Sequence, residues 1–234
     1  MGVLTTIEKM DPQRLKMSYE EYLEFAGDAQ IVEWVDGEMI SYMPPIDRHQ
    51  DLSRFLSTLL DSFVQFFDLG VLRYAPLEVK LWPDGPSREP DIFFIANDHL
   101  AQLTTERFEG GPDLIIEIIS PGSVSEDRVR KFTQYEQAGV REYWIIDPRP
   151  RQQQVDFYVL GSDNLYHSAP IGDDGRYEST VITNFWINID WLWKQPLPNP
   201  QLALAEIMMS IDELPADVKA TYQALYQILR ATPR

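Results

Sequence analysis

Between Asp113 and Pro148 the chain reads as strand, helix, strand, and this order limits the fold more than any other feature of the sequence. "DLIIEIIS" is an aliphatic run long enough for a strand covered on both faces. "SEDRVRKFTQYEQAG" is helical between a start near Ser125 and a stop at Gly139, and "EYWIIDP" is a second short apolar strand. Two strands joined through such a helix lie parallel, because a tight turn can only return the chain antiparallel. The spacing therefore predicts a βαβ crossover and an α/β core.

Inside the first of these strands stands Glu117, flanked by Leu114, Ile115, Ile116, Ile118 and Ile119. Strand side chains alternate, so Ile115, Glu117 and Ile119 share one face, and the carboxylate points into a packed layer. An ionised carboxylate there costs several kcal/mol, of the order of a buried unpaired ion, unless a positive charge meets it. Two readings follow: a salt-bridged core residue or a metal ligand. The chain has no cysteine and three histidines, so a bound metal would be held by oxygen or imidazole. That chemistry suits hard cations such as magnesium, manganese or calcium and leaves a polyhistidine zinc site without ligands.

The remaining elements fill out one domain with an appendage. Ser18 and Glu21 in "SYEEYLEFAG" stand at capping-box spacing and open a short helix that Gly27 ends. Asp36-Gly37 sits between two apolar-rich runs in "IVEWVDGEMISYM" and predicts a tight hairpin. Leu52, Phe55, Leu56, Leu59, Leu60, Phe63, Val64 and Phe67 recur at three and four residues in the main core helix, which stops at Gly70. Strands follow at "VLRYAPLEVKLW" and "DIFFIA", and antiparallel hairpins lie beyond Pro148. "KQPLPNPQ" reads as a Pro-rich linker to one or two terminal helices. The expected division is a leader over 1–17, a domain over 18–193, and linker plus helical tail over 194–234.

The 234 residues carry a formal net charge of −17, which argues against a protein that holds nucleic acid chiefly by long-range electrostatics. The charge is uneven. From Asp113 to Arg151 seven acids face six bases, and Arg128, Arg130 and Lys131 form a local basic cluster. No apolar stretch is long enough to span a membrane and no signal-type segment opens the chain, so the expectation is a soluble, cytoplasmic protein without membrane partners.

Several side chains are candidates beside Glu117. Asp91 enters an apolar strand directly after Pro90, as a turn residue or a second ligand. Lys131 lies four residues after Asp127 on one helix face, either as an exposed ion-pair partner or aimed back at the strand. Two carboxylates from adjacent strands with a lysine would make a site for a divalent ion and a polarised water. Glu33 among Ile31, Val32, Trp34 and Val35 supports such a site or makes a core ion pair. His49 at the start of the long helix reads as a surface or capping residue, Lys80 beside Glu78 as a rival catalytic lysine or, in the favoured reading, a solvated cross-strand charge, and Asp113 and Asp147 as turn residues.

Pro90-Asp91 on one strand, "EII" from Glu117 to Ile119 on the next, and a crossover helix after it resemble the PD-(D/E)XK nuclease superfamily. The longer text "PDLIIEIISPGSVSEDRVRKFTQYEQAGVREYWIIDP", with "IVEWVDGEMI" and "RHQDLSRFLSTLL" ahead of it, is similar to the Uma-type family of restriction-endonuclease-like proteins, from roughly Ser18 to Leu160. The resemblance implies a restriction-endonuclease-like mixed sheet flanked by helices and extended by antiparallel strands. It implies magnesium or manganese bound by Asp91, Glu117 and the backbone carbonyl of Ile118. Ile119 occupies the place where the parent pattern has lysine, and the resemblance suggests Lys131 as its migrated replacement, giving Asp91, Glu117 and Lys131 as the catalytic set. The activity implied is phosphodiester hydrolysis in nucleic acid, DNA before RNA. The rival reading is an inactive nuclease fold that acts as an interaction module, dimerising through the apolar residues of "TYQALYQILR".

Overall fold

The computed structural model describes residues 13–25, 32–41 and 47–231. The first elements are β1 (Gln13–Lys16), α1 (Tyr19–Phe25), and the hairpin of β2 (Val32–Val35) and β3 (Glu38–Ser41). Ser18 and Glu21 make both capping-box bonds, backbone N–H to side-chain oxygen in each direction, at 2.8 and 3.2 Å. Asp36 and Gly37 both take positive φ, 51° and 81°, as the two-residue turn requires. Gly27 lies outside the described residues. The long helix α2 (Asp47–Phe66) is followed by β4 (Gly70–Tyr74), β5 (Glu78–Lys80), β6 (Ser87–Arg88), β7 (Ile92–Ala96), β8 (Arg107–Glu109) and β9 (Leu114–Ile118).

The crossover helix then begins as a π-helical turn, Glu126–Lys131, and continues as α3 (Phe132–Gln137). Gly139 ends it with φ of 78°. β10 (Glu142–Asp147) runs parallel to β9, Glu142 beside Leu114 and Ile145 beside Glu117, so the expected βαβ unit is present. β11 (Gln154–Leu160), β12 (Tyr166–Ser168), β13 (Arg176–Glu178) and β14 (Trp186–Asn188) are antiparallel additions, and α4 (Pro200–Ser210) and α5 (Ala216–Ala231) complete the described chain.

The strands divide between two six-stranded sheets and a separate β13-β14 pair instead of joining one sheet. The first sheet has the order β12-β11-β10-β9-β7-β4, and a second sheet has the order β1-β3-β2-β6-β5-β8. One face of the first sheet, through Ile92, Phe94, Ile116, Trp144 and Ile146, packs on α2. The opposite face, through Phe93, Ile95, Ile115, Ile119 and Ile145, packs on Tyr135 of α3 and on Val79 and Phe108 of the second sheet. Glu117 is on this second face, between the two sheets and under the crossover helix. Ile119, in the motif's lysine slot, is fully buried in the same layer. Among the described residues no helix is long and apolar enough to cross a membrane.

α4 is part of the core. Ala203, Leu204, Ile207 and Met208 are buried with α2 residues in one apolar cluster. α5 packs on α4 with Tyr222 edge-on to Phe66, so its apolar stripe is half-covered by its own chain, and Ile228 remains 63% exposed. Met208→Ala is therefore expected to cost about 2–5 kcal/mol, as for a large-to-small change in a packed core. Ile228→Ala should stay within about 0.5 kcal/mol. Urea unfolding followed by tryptophan fluorescence measures both, and equal effects would show that α4 is not part of the folding unit.

Candidate functional site

The antiparallel register of β7 and β9 sets Ile92 beside Ile116, which carries Asp91 to a place opposite Glu117. The two acids expected on neighbouring strands are thus cross-strand neighbours. Asp91 Oδ2 accepts the Ile118 N–H at 2.7 Å and lies 3.1 Å from His49 Nε2. His49 is 7% exposed, so the expectation of a surface or capping residue is corrected: the first turns of α2 lie over the start of β7 and turn the imidazole inward. Burial opposes the charge of His49, and the hydrogen bond and charge of Asp91 more than offset it, so its pKa is raised.

Glu117 is almost fully buried. Its Oε1 accepts from Lys131 Nζ at 3.0 Å and from the Tyr135 hydroxyl at 2.8 Å. The crossover helix supplies both donors, one turn apart. Lys131 is also buried, with Glu33 Oε1 at 3.1 Å and Asp127 Oδ1 at 3.3 Å from its ammonium. Burial disfavours the ammonium, yet Glu117, Glu33 and Asp127 outweigh it and hold its pKa well above the usual lysine range. Burial pushes Glu117 and Asp127 upward from the usual carboxylate range, Lys131 opposing in each case. Of the two readings left open for Glu117, the salt-bridged core residue is present, and Asp91 lies across from it on the neighbouring strand.

A second cation lies behind this group. Arg88, on the two-residue strand β6, is wholly buried. It donates to Glu33 Oε2 at 2.7 Å, to Glu126 Oε1 at 3.0 Å, and through Nε and Nη2 to Gln134 Oε1 at 2.8 and 2.6 Å. Glu89 beside it accepts the Val32 N–H, and burial followed by the charge of Glu33 pushes its pKa up to about 8. Arg88, Glu89, Asp127 as a member of the cluster, and Tyr135 were not singled out from the sequence. Tyr135 alone carried a usable signal, four residues after Lys131 on the same helix face.

Lys80 is no solvated charge. It is 5% exposed, donates to the Gly85 carbonyl at 2.7 Å and sits 3.6 Å above the Tyr19 ring, because α1 folds over this end of the second sheet. Asp113 and Asp147 are also buried. Asp113 accepts the Ala96 N–H and pairs with Arg141, and Asp147 holds Arg149, so both are anchors at strand ends beyond a turn role.

The donor set fits a hard cation. Asp91 spends Oδ2 and Glu117 spends Oε1 on the bonds above, and among the described residues no hydrogen bond reaches Asp91 Oδ1 or Glu117 Oε2. The acids Glu33, Glu89, Asp91, Glu117, Glu126 and Asp127 are set against the basic groups Arg88, Lys131 and His49, with Arg14 and Arg130 reaching Glu126 from the surface. Among the described residues no group of three or more acidic or histidine side chains is disposed to cage a metal.

Comparison with known proteins agrees with this architecture. The crystal structure of a "putative nuclease belonging to DUF820" from Anabaena variabilis shares the fold, at 17% identity and a TM-score of 0.56, covering 74% of this chain and 96% of that one. No curated protein matches the chain. The profile of the Uma2 family, described as "Putative restriction endonuclease", matches residues 19–190, which include every residue of the cluster around Lys131 and Arg88. The chain belongs to the Uma2 family.

Proposed function

We propose that the protein is a metal-dependent nuclease that hydrolyses phosphodiester bonds in nucleic acid, DNA before RNA. Asp91, Glu117 and the Ile118 carbonyl hold a magnesium or manganese ion, and Lys131 acts on the reacting phosphate. The observation that carries this reading is the buried ammonium of Lys131, 3.0 Å from Glu117 and supplied by the crossover helix in place of the buried Ile119. The name of the family supports nuclease chemistry and DNA as the substrate. Residues 18–193 form the catalytic domain, and 194–234 are an appendage whose first helix completes its core.

When bound, the ion supplies a polarised water and offsets charge on the scissile phosphate. Asp91 presents Oδ1 because the Ile118 N–H and His49 hold Oδ2, and Glu117 presents Oε2 because Lys131 and Tyr135 hold Oε1. Lys131 stays protonated at neutral pH, so it serves as a donor and not as a general base. Its charge orients the attacking water or balances the negative charge that grows on the phosphate oxygens. Tyr135, in contact with the same carboxylate oxygen, restricts the rotation of Glu117.

The primary test is cleavage of DNA and RNA with and without magnesium or manganese. DNA is expected to be cut in the presence of either ion, chelator to stop the reaction, and Glu117→Ala to be inactive. No cleavage under any of these conditions, with the native protein folded and metal-loaded, would instead favour an interaction module. Calorimetry should show manganese binding that Asp91→Ala abolishes, and unchanged binding by that variant would remove Asp91 from the site. Lys131→Met should lower kcat by about 10²–10³, as for loss of a charge-stabilising donor, and full turnover by this variant would exclude Lys131 from the chemistry.

A further inference from the structure

Lys131 faces as many carboxylates as it has N–H donors. Glu117, Glu33 and Asp127 lie 3.0, 3.1 and 3.3 Å from Nζ, Asp127 Oδ1 as an ion-pair contact that makes no hydrogen bond among the described residues, and an ammonium offers three N–H groups. A divalent cation engaging Glu117 upsets this balance in two ways: it draws on the same carboxylate, and it repels an ammonium only a few ångströms away. The lysine and the cation are then rivals for Glu117 unless another group holds the lysine in place.

The three carboxylates are not equivalent in this respect. Asp127 is on the same helical turn as Lys131 and moves with it, so it cannot locate the ammonium relative to β9. Glu33 belongs to a different element, β2, and is held from behind. Its Oε2 takes Arg88 Nη1 at 2.7 Å, and its Oε1 lies 3.3 Å from the Glu89 N–H as well as facing Lys131. Arg88 is in turn fixed to Glu126 and Gln134 on either side of Lys131 along the crossover helix. Glu33 is therefore a fixed anion, 1% exposed, aimed at the ammonium from a rigid frame.

On the nuclease reading given above, we propose that Glu33 is a positioning residue: it retains the Lys131 ammonium when a divalent cation engages Glu117, so that cation and lysine share the site and do not compete for one carboxylate. Arg88 acts through Glu33 by occupying its other oxygen. Glu33 touches neither the ion nor the phosphate in this role. Its effect on cation binding passes through the lysine, and that dependence separates it from a ligand.

The test is a double-mutant cycle read by manganese calorimetry on the full chain. Glu33→Gln keeps the size of the side chain but removes the anion, so the ammonium falls back on Glu117 and manganese binding should weaken. The expected loss is about tenfold in the native background and less than about threefold beside Lys131→Met, within the coupling seen between contacting residues. Glu33→Asp, which keeps the charge, should restore part of the lost affinity, and it carries the cycle if thermal unfolding shows that Glu33→Gln does not fold. Equal losses with and without Lys131 would make Glu33 a direct ligand or a purely structural residue, and no loss in either background would remove its role; both overturn the proposal while leaving the metal site standing. Absence of manganese binding by the native protein would overturn the metal-nuclease reading itself, and this proposal with it.

Discussion

The ion cluster around Lys131 and Arg88 is the constraint on which the other elements depend. Its members come from β2, β6, β9 and the crossover helix, and nearly all of them are out of water. Removing one partner of such a cluster leaves a buried charge uncompensated, typically at a cost of about 3–5 kcal/mol. The second sheet, the first sheet and the helix between them must therefore meet in one arrangement. Apolar contacts such as Phe93 with Phe108 hold the sheets together, and the charges fix how they meet. The cluster is held by hydrogen bonds and ion pairs, and burial shifts the carboxyl groups of Glu89, Glu117 and Asp127 upward.

The π-helical turn gives this arrangement its geometry. A lysine two residues after Glu117, just past the end of β9, would share its face, but Ile119 fills that place and packs between the sheets. The charge arrives from above, on a helix whose first turn is wider than an α-helix. Glu126, Asp127 and Lys131 all point inward from that turn, while Val129 and Arg130 face solvent.

Much of this was legible in the sequence where local rules act alone. The capping box at Ser18 and Glu21, the Asp36-Gly37 turn, the stop at Gly139 and the parallel strands around the crossover each follow from chemistry within a few residues, and each is present. The inward face of Glu117 followed from alternation. The division into two sheets did not, because strands of two to four residues such as β5, β6 and β8 are too short to carry a period. Arg88 stands in a two-residue strand close to Pro86 and Pro90, and nothing local marks it as buried. Lys80 and His49 were read as exposed because the elements that cover them, α1 and β7, are distant in sequence. Burial of a charged residue is decided by what folds over it, and that information is not local.

The scattered origin of the cluster has a consequence for how the protein assembles. Glu33, Arg88, Glu117 and Lys131 are separated by up to about a hundred positions, and the loops between them must close before any of their contacts forms. The βαβ unit alone brings Lys131 only to Glu117 and Asp127, and without the hairpin and β6 it lacks the anchoring anion. The cluster is therefore complete only when the hairpin, β6 and the βαβ unit are all in place. A chain in which the two larger sheets have not met carries these residues without their geometry and their charges without their partners.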